Sequence, residues 1–119
     1  MKCAMYAVLI WFFTAAPAAQ AADAAAPDFS KTGRAFLEKH CLKCHRGEKP
    51  KAGLSLEPFR NSLSLIRQRR VWNDVLRKIA TGEMPPKGQP RPTVATSGAF
   101  SDLVKSVFDH VDRNAKPDP

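Results

Sequence analysis

The stretch Cys41-Leu42-Lys43-Cys44-His45 limits what this chain can fold into more than any other. Its two cysteines stand three positions apart, about one helical turn, and a histidine follows the second directly. At the end of a helix this spacing brings both sulfurs to the two vinyl carbons along one edge of a porphyrin. The imidazole of His45 then falls under the iron as an axial nitrogen ligand, a donor that suits both oxidation states. Two other uses of the pair fit less well. A thioredoxin-like dithiol opens a helix after a strand in a βαβ unit, and no such pattern surrounds Cys41 and Cys44. A zinc site built on this pair needs two further ligands, and the sequence has no other C-x-x-C to supply them.

The inventory of sulfur residues agrees with that reading. Residues 1–21 read as a secretory signal peptide: Lys2 is its positive start, Ala4 to Thr14 its apolar run, and Ala19-Gln20-Ala21 its cleavage site. The run is about half of the ~20 residues that cross a bilayer, so membrane attachment is expected only if the signal peptide is retained. Export to the periplasm is the expectation. Cys3 leaves with this segment, and Met84 is then the single methionine that remains. An exported chain whose two thiols both lie in one motif has no disulfide framework to staple it. A domain this small buries only about 60% of its unfolded surface. A large apolar cofactor bonded into its centre supplies the core it lacks.

The formal charge is +8, or +7 once Lys2 is gone. A basic domain suggests nucleic acid first, but an exported one does not meet it. An acidic redox protein is the expected partner, met by Lys39, Lys43, Arg46, Lys49 and Lys51, which cluster around the motif.

Along the chain, residues 22–29 read as a flexible leader. Asp28 or Ser30 is expected to cap a first helix running into the motif. Its apolar face is Phe29, Phe36, Leu37 and Cys41, and Lys31, Arg34, Glu38 and Lys39 point outward. Gly33 sits inside it at a cost of roughly 1 kcal/mol, which asks for a packing reason such as a second helix crossing closely. Arg46 to Gly53 reads as loop, with Leu54 and Leu56 as an extended apolar strip beyond it. Ser62 to Arg70 holds a first turn or two, and Val71, Trp72, Val75, Leu76 and Ile79 form the stripe of a middle helix that Gly82 ends. Trp72 reads as core, with a bond from its indole to a haem propionate as the sharper alternative.

Glu83-Met84-Pro85-Pro86 follows. The prolines hold Met84 in an extended segment, and its thioether is a soft donor that favours reduced iron, so Met84 is the candidate distal ligand. His40 belongs to the same short segment as the attachment cysteines, and His110 lies on a half-solvated face, so neither competes well. Ser97 or Ser101 is expected to cap a last helix with Phe100, Leu103, Val104, Val107, Phe108 and Val111 inward. Residues 116–119 read as a tail or a truncated linker.

Gly33 and Leu37, eight and four residues before Cys41, resemble the class I cytochrome c pattern of a glycine and an aromatic ahead of C-x-x-C-H. In that family the glycine marks where the first and last helices cross; here leucine takes the aromatic position and Phe36 stands beside it. Beyond the motif, Lys51-Ala52-Gly53-Leu54-Ser55-Leu56, the segment Val71 to Ile79 and Gly82-Glu83-Met84-Pro85-Pro86 resemble the planctomycete-type c-type cytochrome domains, which commonly begin longer exported proteins. The resemblance implies an all-α, cytochrome c-like fold over residues 30–115, with three or more helices around one covalently attached haem c. It also implies single-electron transfer through an iron held by His45 and Met84, without a catalysed substrate reaction. The alternative is a haem module with an open distal position that acts on peroxide or senses a small gas; a third is a structural or regulatory module.

Overall fold

The computed structural model of the chain describes residues 27–115. The segment read as a signal peptide, leader residues 22–26 and the tail 116–119 lie outside the described residues. Within them the chain is all-α: α1 Thr32–His40, α2 Ser62–Arg67, α3 Arg69–Ala80 and α4 Val94–Asn114, with a 3-10 turn at Lys51–Gly53. No helix among the described residues is long and apolar enough to cross a membrane.

Neither Asp28 nor Ser30 caps α1. The Asp28 carboxylate accepts the Ser30 N–H at 2.8 Å, closing a turn before the helix, and the N-cap is Lys31, whose side chain makes no capping bond. Phe29, at the end of the segment read as leader, is fully buried. Its N–H donates to Ser62 Oγ at 3.2 Å, and that hydroxyl donates to the Pro27 carbonyl at 2.7 Å, so Ser62 ties the segment before α1 to the start of α2.

Gly33 has a packing reason. A Cβ there would meet the ring of Phe29, so the missing side chain makes room for an aromatic folded back over α1. α4 does pack on α1, through Phe36, whose ring stacks on Phe100 with centroids 3.9 Å apart and planes 12° from parallel. Arg34, expected outward, turns to the chain instead. Its Nη1 donates to the Glu57 and Phe59 carbonyls at 3.0 and 3.3 Å, pinning that segment to α1.

The middle of the chain is two helices, broken at Gln68, where φ is −128° and ψ 40°. Asn61 starts α2 with a capping box: its side chain accepts from the Ser64 N–H at 3.0 Å, and Ser64 Oγ accepts from the Asn61 N–H at 3.3 Å. Trp72 is core, fully buried and edge-on to Phe29 and Phe59 at 5.6 and 5.1 Å. α4 begins earlier than Ser97 or Ser101 would place it, because Thr93 is the first hydroxyl beyond Pro92 and accepts the Thr96 N–H at 3.1 Å. Arg69 joins α3 to α4 by two 2.6 Å bonds to Asp112, with its guanidinium 4.8 Å from the Phe108 ring centroid.

Candidate cofactor site

α1 delivers the motif. Cys41 is its C-cap, with its N–H on the Leu37 carbonyl at 2.9 Å; Cys44 and His45 then both donate to the Cys41 carbonyl, at 3.1 and 3.0 Å. The five residues therefore close into a single tight turn around the buried Leu42. A reactive dithiol wants the positive N-terminal end of a helix, and this one sits at the opposite end. Burial also pushes the Cys41 thiol up to about 11, which keeps it protonated. Both cysteines are free thiols, half-buried.

His45 is oriented by a carbonyl. Its Nδ1 lies 3.0 Å from the Leu54 oxygen. A carbonyl has no proton to give, so Nδ1 carries the hydrogen, and in the neutral imidazole Nε2 keeps its lone pair, the tautomer a metal ligand needs. The loop that presents this oxygen is built locally. Pro50, with φ −67°, leads the 3-10 turn and accepts the Gly53 N–H at 3.0 Å, and Ala52 and Gly53 take left-handed torsions of 54° and 66°. Two further bonds lace the loop to the motif, Lys51 N–H to Cys44 and Leu56 N–H to His45, at 2.9 and 2.8 Å. Of the two prolines that flank this carbonyl, Pro50 leads the turn and Pro58 stands exposed beyond it.

Met84 is presented by the end of α3. Gly82 takes φ +74° just past the helix, as its sequence position demands, and its N–H returns to Ile79 at 3.2 Å. The Met84 N–H then donates to the Lys78 carbonyl at 3.1 Å, so the backbone of the methionine is bonded to the helix itself. The carboxylate of Glu83 accepts from Lys78 Nζ at 2.6 Å and Thr81 Oγ1 at 3.0 Å, contacts that hold its pKa below the usual carboxylate range.

These segments enclose a cavity of about 470 Å³, within the size range of cofactor pockets. Cys41, Cys44, His45 and Met84 all line it, together with Leu54, Leu56, Val75, Ile79, Pro85 and Pro86. The stripe on α3 divides between two neighbours: Trp72 and Leu76 are buried in the core, while Val75 and Ile79 turn to the cavity. Nothing in the period-3.6 pattern separates those two faces. The wall also includes Lys78 and, from the proline-rich connector beyond the Met84 turn, Gln89, Pro90 and Pro92.

Among the described residues no three His, Cys, Asp or Glu side chains come together to hold a bare metal ion. A porphyrin fits this donor set better, since its iron arrives with four equatorial nitrogens and needs only axial donors, and its apolar ring matches the aliphatic wall. His40 also lines the cavity, tilted on Phe36 at 4.8 Å, and burial and then Lys39 lower its pKa. His110 and Trp72 are not in the wall, and the buried indole N–H of Trp72 has no partner among the described residues. Lys39, Lys43, Lys51 and Lys78 border the cavity.

Residues 41–88 match the family model described as planctomycete cytochrome C, a span that opens on Cys41 and runs past Met84. No curated protein and no solved structure gives a significant match to the chain.

Proposed function

We propose, from the premise of a planctomycete cytochrome C domain at residues 41–88, that this chain is an exported carrier of single electrons with one covalently bound haem c. Cys41 and Cys44 would form the thioethers, and His45 Nε2 and the Met84 sulfur the two axial bonds. Bound haem supplies a one-electron couple between ferric and ferrous iron. The chain's own residues do the rest. Leu54 fixes the tautomer of His45, the end of α3 fixes the backbone of Met84, and the aliphatic wall keeps water from the ring. A thioether on the distal side favours the reduced state and so raises the potential.

The observation that carries this reading is the convergence of both cysteines, His45 and Met84 on one apolar cavity, with Nε2 of His45 left free by its bond to Leu54. No part of the cycle asks for a substrate pocket. Lys39, Lys43 and Lys51, exposed at the cavity border and in no ion pair among the described residues, support an acidic redox protein as partner. Periplasmic location rests on the N-terminal sequence.

The test is spectroscopic. Protein exported from a host competent in cytochrome maturation should give a pyridine haemochrome spectrum with two thioether bonds. Its ferric form should show a Met-to-iron charge-transfer band, and its ferrous form should bind carbon monoxide poorly. Met84→Ala should lower the midpoint potential and admit carbon monoxide. Colourless protein with both thiols open to alkylation defeats the haem reading; an unchanged potential in the variant defeats the role of Met84.

A further inference from the structure

The turn that carries Met84 is tied down more heavily than a helix end requires. Gly82 and Met84 each return an N–H to α3, and Arg91 Nη2 donates to the Gly82 carbonyl at 2.8 Å from the far side of the loop. Between these anchors Glu83 folds its carboxylate back onto the same helix. One oxygen takes Lys78 Nζ at 2.6 Å, the other takes Thr81 Oγ1 at 3.0 Å, and Arg77 Nη1 lies 3.8 Å away. Lys78 thus holds residue 83 by its side chain and residue 84 by its carbonyl.

An axial sulfur must be kept within about 0.5 Å of its place to stay bonded, and the side chain of Met84 has three rotatable bonds of its own. The loop beyond it, through Pro85, Pro86 and Gln89, lines the cavity. Residues 82–84 are held from both sides, by Arg91 on the Gly82 carbonyl and, on the α3 side, by the bonds of Gly82, Glu83 and Met84. We infer that Glu83 is a positioning residue for the distal ligand: its link to Lys78 and Thr81 locks the turn so that the Met84 sulfur stays over the cavity. This inference rests on the reading of Met84 as the axial ligand.

The pair is exposed, so its effect is modest, and a competing ligand is the sensitive way to read it. Exogenous imidazole binds ferric iron only when Met84 has left, so its apparent affinity reports the detached fraction. In the haem-loaded protein, Glu83→Ala should tighten imidazole binding about two- to fivefold, the range an exposed ion pair can supply. The charge-exchanged double variant Lys78→Glu with Glu83→Lys should return most of the difference. Arg69→Ala, which breaks an exposed ion pair at the other end of α3, should leave imidazole affinity where it was. Unchanged affinity in Glu83→Ala, or an equal rise in Arg69→Ala, overturns the inference. A wild-type ferric spectrum without the Met-to-iron band overturns the ligand reading itself, and the positioning role with it.

Discussion

At the scale of single residues, much of this structure turns on contacts a side chain either makes or leaves room for. Gly33 is the clearest case, since any side chain there meets the ring of Phe29. Gly33→Ala should cost about 1–3 kcal/mol as an overpacking defect, read from urea unfolding of the haem-loaded protein. Combining it with Phe29→Leu should cost less than the sum of the two single changes, because the shared clash is relieved. Strict additivity would show that Phe29 is not the reason for the glycine. Ala52 poses the opposite problem, a side chain held at φ 54° where glycine is at ease, in the turn that offers the Leu54 carbonyl to His45.

At the scale of elements, α3 joins the two halves of the molecule. Its start is bound to α4 through Arg69 and Asp112, and its end carries Met84. The Arg69 guanidinium holds the Asp112 carboxyl below its ordinary value near 3.8. A carboxyl depressed in the folded state stabilises it above the unfolded value, and that contribution is lost as pH falls through the folded one. Asp112→Asn should therefore melt below wild type at about pH 6, by a small margin because the pair is exposed, and the gap should close by about pH 2. A gap that persists in acid would assign the difference to packing against Phe108 rather than to charge.

At the scale of the whole molecule, lysines border the cavity, and the acidic partner we propose would meet them there. Exposed charges steer encounter rather than hold the complex, so their signature is in association rate and its salt dependence. With an acidic single-electron donor protein, neutralising Lys43 and Lys51 to glutamine should slow the bimolecular rate at about 10 mM salt and leave it nearly unchanged at about 500 mM, where the screening length is only a few ångströms. An equal slowing at both salt levels would mean the lysines act on the site rather than on the encounter.

Several features were legible before any coordinates because they depend on neighbours in sequence. The first, middle and last helices follow from apolar residues recurring every three or four positions, Gly82 stops α3 because only glycine is at ease at +74°, and Trp72 reads as core from its place in the stripe. The spacing of Cys41, Cys44 and His45 is likewise local, one turn of backbone. What tertiary structure decided depends on residues far apart in the chain. Ser62 decides that Phe29 is ordered and Phe29 decides why residue 33 is glycine; the Leu54 carbonyl decides the tautomer of His45; the Glu57 and Phe59 carbonyls decide that Arg34 turns inward. Torsion preference and helical period reach about one turn along the chain, whereas a hydrogen-bond partner or a ring in van der Waals contact is chosen only when the helices have closed on each other.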